Sequence, residues 1–347
     1  MGAKPEVRVV TAARRRATNR PAPMLSDGHS GRSGRAWKGL FLLTAVLLAG
    51  VLALLVAVWP KGGGAGGATA GSSPAGWRQI WRDDFNGPAR NSPDKTNWIM
   101  EKGYRYPNGP DHWGTGEIQH YNDLPEDVST DGKGHLLINP HRDIHNTWES
   151  ARIETRRSDF RPPSGGVLRA EARIQLPAVT GTAALGYWPA FWMLGAGIRD
   201  DTRKWPSHGE FDILENVNGD QKVQGTLHCG VEKGGPCNEH NGLSRQTTCL
   251  GSPCPGAFHT YAFEWDLSSS QQLRWYVDGQ LYHTVNASQM DAKTWAEATH
   301  GSMTIILNVA MGGDFPNAVN GGKPTPTADT KSGYPMAVDY VSVSTRG

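Results

Sequence analysis

The sequence predicts an all-β sandwich over residues 77–347, and three observations lead there. Short β-rich runs separated by turn residues dominate this stretch, no long helical period interrupts them, and one hairpin signal is unusually strong. Residues 135–139 and 168–174 read as strands, and 190–194 as a fully buried one. Residues 272–277 and 280–285 flank Asp278-Gly279, the dipeptide that a two-residue hairpin turn favours. Residues 303–310 form a further apolar strand that stops at Gly312-Gly313, and 336–343 alternate well enough to close a sheet. Residues 291–298 are the one short helix expected.

Within this domain, Glu210-Phe211-Asp212-Ile213-Leu214-Glu215 places three carboxylates in an otherwise apolar run. Desolvating each acid is costly, so a packed strand has no structural use for three of them. Strand alternation puts Glu210 and Asp212 on one face and Glu215 on the other. A β-bulge near Ile213 or Leu214 would absorb one residue and return Glu215 to the shared face. The glutamates would then lie about 13 Å apart at Cα, at ~3.3 Å per residue. Side chains leaning together approach the ~5 Å carboxyl separation of a retaining glycosidase. The alternative is a charged edge strand, but edge protection gains nothing from large apolar residues between the charges.

The front of the chain differs in kind. Residues 1–38 carry nine Lys/Arg against Glu6 and Asp27, a net of +7, without apolar periodicity, and read as a disordered basic tail. Residues 39–59 hold no charge and are long enough to cross a bilayer as a helix, with the basic flank on the cytoplasmic side. The expectation is a single-pass anchor at the cell membrane. A secretory signal cleaved near Ala68-Thr69-Ala70 is the alternative; its apolar region is ordinarily shorter. Residues 60–76, rich in Gly, Ala and Ser, read as a tether, and 77–347 as one catalytic domain outside the membrane. Of the 35 Lys/Arg and 33 Asp/Glu, 26 and 31 fall beyond residue 38, so that part is mildly acidic at −5. Nothing in this pattern points to nucleic acid.

All four cysteines, Cys229, Cys237, Cys249 and Cys254, fall in one Gly/Pro/Asn-rich stretch. An even count outside the cytoplasm implies disulfides, with the local pairing 229–237 and 249–254 expected among three. Their spacing lacks the short-spaced pairs of structural zinc sites. A P-loop, a dinucleotide fingerprint, a Gly-x-Ser-x-Gly elbow and a His-Glu-x-x-His motif are all missing, which removes many common enzyme classes.

Eleven of the 13 tryptophans lie in the outer domain, where flat rings can pack on sugar C–H faces. Trp98, Trp265 and Trp275 sit in apolar runs and read as core. Trp188, Trp192 and Trp205 flank the acid strand, and two of them precede proline, which favours extended or loop geometry. They are candidate sugar platforms. His228, on the next strand, is placed to reach a sugar or an acid; His259 is ambiguous between a structural and a binding role.

These residues resemble glycoside hydrolase family 16, in particular its laminarinase-like endo-β-1,3-glucanases. The family's Glu-x-Asp-x-x-Glu is matched by Glu210, Asp212 and Glu215. Trp188-Pro-Ala-Phe-Trp-Met, Trp205-Pro-x-x-Gly-Glu, Gly225-Thr-Leu-His, Phe258-His-Thr-Tyr-Ala-x-Glu-Trp, Trp275-Tyr-Val-Asp-Gly and Leu307-Asn-Val-Ala-x-Gly-Gly follow in family order. The resemblance implies a concanavalin-like β-jelly roll of two antiparallel sheets with a cleft on the concave face. It further implies Glu210 as nucleophile, Glu215 as general acid/base and Asp212 between them, acting on β-1,3 or β-1,3/1,4 glucan. Arg152, Asn308 and Glu117 match cleft-lining positions. No cofactor is implied for catalysis, although relatives often hold one structural calcium, with Asp339 the matching ligand here. The segment between Cys229 and Cys254 departs from the simplest pattern. It puts substrate preference in doubt, with a β-galactan as the alternative. The acid motif does not separate hydrolysis from transglycosylation, and a non-catalytic carbohydrate-binding protein on the same sandwich is the reading from another class.

Overall fold

The computed structural model describes residues 76–347. The basic tail, the apolar segment at 39–59 and nearly all of the tether lie outside the described residues. Among the described residues, no helix is long and apolar enough to cross a membrane.

Two antiparallel sheets pack face to face. One runs in the order Gln280–Asn286, Gln272–Val277, Phe258–Asp266, Val167–Gln175, Met336–Arg346, Leu136–Ile138, Val128–Thr130, with Arg78–Asp83 also pairing on Met336–Arg346. The other runs Leu243–Thr248, Lys222–His228, Glu210–Glu215, Tyr187–Gly195, Met303–Met311, Arg152–Thr155, Trp98–Glu101. This is a jelly-roll-like sandwich, as the strand pattern predicts. A small third sheet joins His120–Tyr121, Trp148–Ser150 and His141–Arg142.

The expected elements form with small changes at their ends. The hairpin turns at Asp278 and Gly279, both with positive φ (49° and 77°), which suits the right-handed strand twist. Asp291 caps the helix Ala292–Thr299 by accepting from the Thr294 N–H. The short helix Asp314–Val319 has no counterpart among the sequence expectations, since six residues carry too little period to read.

The core lies between the sheets. Phe211 of the acid strand is fully buried against Phe263 and Trp265 of the facing sheet, with ring centroids 5.1 and 5.3 Å away. Burying such a ring contributes about 2–3 kcal/mol. Trp98, Trp265 and Trp275 are wholly inside, as apolar runs require. The bulge also forms. Asp212 pairs with Thr226 but Glu215 with Gln224, so three residues on the acid strand face two on its neighbour. On the other side Leu214 pairs with Phe191 and Asp212 with Trp192, which isolates Ile213 as the extra residue. The Asp212 carbonyl is bound by the Trp275 indole N–H across the sandwich at 2.8 Å. Gly225 permits this approach, because a Cβ there would meet Trp275 Cδ1 at 2.5 Å.

Candidate active site

The sheet holding the acids turns an unusually polar face outward, and register explains why. Opposed residues on neighbouring strands share a face. One row therefore runs Gln246, Gln224, Glu215, Ala190, Asn308, Arg152, Glu101 across seven strands. The next runs Thr226, Asp212, Trp192, Ile306, Glu154. The bulge brings Glu215 into this face beside Asp212.

Each glutamate receives one indole N–H. Trp188 Nε1 donates to Glu215 at 2.9 Å, and Trp205 Nε1 donates to Glu210 at 3.2 Å. The Thr226 hydroxyl lies 3.4 Å from the second Glu215 oxygen. Asp212 and Glu215 are almost fully buried, whereas Glu210 is half-buried. Burial first, and then the Asp212 charge, push both glutamates up to about 8. The opposing influences differ in part: His228 favours the ionised form of both glutamates, Arg152 adds to this at Glu210, and the Trp188 indole N–H adds to it at Glu215.

His228 lies between two acids. Its Nε2 is 3.3 Å from Asp212 and its Nδ1 is 2.6 Å from Glu239. Burial alone would lower its pKa, but its bonds to Asp212 and Glu239 prevail and raise it well above the ordinary imidazole value. The Nδ1 contact is a hydrogen bond to Glu239, and Nε2 faces Asp212 at ion-pair distance. Glu239 comes from the cysteine-bearing stretch, where Cys229–Cys237 and Cys249–Cys254 are both disulfide-bonded. The second Glu239 oxygen accepts the Cys229 N–H at 2.8 Å. The segment just past the first disulfide loop thus delivers the carboxylate that holds His228.

Three expected cleft residues lie beneath the surface. Arg152 is buried under the rings of Tyr106, Trp113 and Trp192, with its guanidinium carbon 4.6–5.0 Å from their centroids, and it donates to the Tyr106 hydroxyl at 2.7 Å. Asn308 accepts from Trp192 Nε1 at 2.8 Å and donates to the Tyr121 hydroxyl at 3.1 Å. Glu117 accepts from Gln119 and Tyr121, each at 3.0 Å. Together they form a polar layer that braces Trp192. The expected platforms Trp188, Trp192 and Trp205 are half-buried on this face, and Trp205 also stacks on His240 at 5.7 Å.

Sequence reading missed Glu154, Tyr106, Glu101, Arg199 and Glu239. Tyr106 donates to Glu154 at 2.9 Å, and Arg199 pairs with Glu101 and Glu154. Glu154 had a signal, since it stands two residues after Arg152 on one strand and shares its face. Glu239 had none, because a loop carries no period. His259 is structural: Nδ1 binds Asp278 at 2.7 Å and Nε2 faces the Pro253 carbonyl at 3.1 Å.

The expected calcium ligand does not fit. The Asp339 carboxylate is ion-paired with Arg173 at 2.6 Å, with Arg82 acting nearby. A cation there would have to displace a guanidinium, so Asp339 is set aside as a metal ligand.

The family model for glycosyl hydrolases family 16 matches residues 150–335, a span that holds the acid strand, the bulge and both indole donors. The chain belongs to this family. It is a glycoside hydrolase. The endo-1,3-β-glucanase of Streptomyces sioyaensis superposes with a TM-score of 0.78 at 51% identity, covering 80% of this chain and all of that one. The β-glucanase of Rhodothermus marinus is 29% identical over 247 residues, 68% of this chain and 76% of that protein. Clotting factor G alpha subunit of Tachypleus tridentatus is 30% identical over 77% of this chain, which spans only 34% of that protein's length. In this hydrolase, as the family pattern requires, the three acids share one face because of a single extra residue.

Proposed function

We propose that this family 16 member is an endo-acting, retaining hydrolase of β-1,3 or β-1,3/1,4 glucan. The observation that carries the mechanism is the bulge at Ile213, which brings two glutamates of unlike electrostatic surroundings to one face. The likeness to an endo-1,3-β-glucanase over that protein's full length supports the substrate class.

Glu210, favoured as the ion by His228 and Arg152, attacks the anomeric carbon. Glu215 gives its proton to the departing glycosidic oxygen as that bond breaks. Glu215 then takes a proton from water, whose oxygen displaces Glu210 from the sugar. Asp212, held against the His228 imidazolium, keeps negative charge between them and raises the proton affinity of Glu215. Trp188 and Trp205 each bind a catalytic oxygen through the indole N–H and fix its side chain. Trp192 offers a ring for a sugar C–H face, braced from below by Arg152 and Asn308.

The uncharged 39–59 stretch and its basic flank support a cell-membrane anchor with the catalytic domain outside, and extraction from membranes by detergent but not by salt tests this. For the activity, the full chain is incubated with laminarin, lichenan, agar and arabinogalactan. Rapid shortening of laminarin or lichenan with β-configured first products is expected. Cleavage confined to the galactans, or α-configured first products, would overturn the substrate class or the retention.

A further inference from the structure

Away from the cleft, Asp127, His141 and Glu149 converge. Asp127 precedes the strand Val128–Thr130, and His141 and Glu149 are directly paired across the strands His141–Arg142 and Trp148–Ser150. One donor atom from each of the three lies within 4.8 Å of the others. His141 Nδ1 is 3.4 Å from Asp127 Oδ1, and His141 Nε2 is 3.9 Å from Glu149 Oε2, so the ring stands between the two carboxylates.

Asp127 is what demands an explanation. Its side chain is wholly buried, yet neither carboxylate oxygen has a hydrogen-bond partner. A buried acid without a partner costs several kcal/mol. The neighbouring charges deepen the problem, because Glu149, Glu126 and Asp123 are all negative. The nearby cations are committed elsewhere: Arg90 to Glu126 at 2.8 Å and Lys102 to Asp123 at 2.7 Å. Asn139, whose N–H binds the Asp127 carbonyl, also has its side-chain oxygen buried and unpartnered. A pocket with one imidazole, two carboxylates, surplus negative charge and no Lys or Arg paired with its buried acid is built for a cation.

We propose that Asp127, His141 and Glu149 bind a divalent transition-metal ion, with zinc best matched by the donor set. One nitrogen and two carboxylate oxygens suit zinc better than calcium, which prefers six to eight oxygens. Zinc bonds of about 2.0–2.1 Å imply donor separations near 3.4 Å in a tetrahedron, so carboxylate rotation of about 1 Å closes the set. The ion ties the loop before Val128 to the hairpin 141–150, which leads directly into the strand bearing Arg152. Its role is structural clamping of these two segments.

The test uses the full chain stripped with EDTA and titrated calorimetrically with zinc chloride, and in parallel with manganese and calcium chloride. Zinc should bind at one equivalent, in preference to calcium, and raise the unfolding midpoint. Asp127→Asn and Glu149→Gln should each weaken binding by at least about 100-fold. Glu149→Gln is partly exposed and guards against a variant that fails to fold. His228→Ala, which disrupts the acid cluster in the cleft, should leave zinc binding intact. No zinc uptake by the unaltered chain, a preference for calcium, or uptake lost with His228→Ala but kept in Glu149→Gln would overturn the proposal.

Discussion

The two faces of the strand Glu210–Glu215 obey opposite rules. Inward, Phe211 and Leu214 are fully buried against the facing sheet, and their contribution is area removed from water. Outward, Glu210, Asp212 and Glu215 are crowded together at a cost in desolvation that the sandwich must offset. The bulge joins the two: Ile213 is the extra residue, so the inner face keeps its packing while the outer face gains a third acid. Stability should therefore respond mainly to the inner face and activity mainly to the outer one.

The strongest break of that comparison is Glu210→Gln. It should lower kcat on laminarin by at least about 10⁴-fold, since the covalent step loses its nucleophile. The urea midpoint should stay level or rise, because a neutral amide is easier to bury than a carboxylate. A fall in stability with activity intact would reverse the assignment of the faces. The opposite substitution, Phe211→Ala, should cost about 3–5 kcal/mol of unfolding free energy through the cavity it leaves. Below its lowered unfolding midpoint the variant should keep most of its kcat, as measured by paired denaturation and initial-rate series.

Glu215 sharpens the comparison through pH. The acid must carry its proton, so kcat/KM should fall as pH rises through the raised value of about 8, and Glu215→Gln should remove that limb with a loss of about 10²–10⁴-fold. Stability runs the same way. Above the ordinary glutamate value of 4.5 the unfolded chain has released this proton while the fold still holds it. The fold then binds more protons than the unfolded chain, so stability declines from about pH 4.5 to about 8. Glu215→Gln should reduce that slope in urea midpoints taken across the window, the remainder coming from Glu210 and Asp127, which are raised likewise.

How much of this was legible in the sequence depended on period. Alternation and apolar runs revealed the sandwich, and the parity mismatch between Glu210 and Glu215 demands a bulge if both are to serve one cleft. Asp278-Gly279 marked its hairpin because positive φ narrows the residue choice. The covering of the polar layer was not legible, for a physical reason. Strand alternation says which face Arg152 and Asn308 occupy, but not that Tyr106, Trp113 and Trp192 cover that face from loops and neighbouring strands. Contacts made by loops, such as Glu239 on His228 or Asp127 beside His141, join segments by tertiary packing that no local pattern encodes.

The smallest effect expected is at Glu239, which lies behind the acids without touching substrate. Glu239→Gln preserves shape and one hydrogen bond to His228 but removes one of the two carboxylates that hold the imidazole protonated. His228 in turn favours ionised Glu210, so weakening its charge should raise the proton affinity of Glu210. The nucleophile must be ionised, and the acid limb of kcat/KM should therefore move to higher pH, by less than about one unit, with at most a tenfold loss near pH 6. At the pH optimum the loss should nearly vanish, and KM should hardly change. A pH-independent loss of activity would mean that Glu239 acts only by bracing the disulfide loop, and His228 would then owe its charge to Asp212 and Glu210.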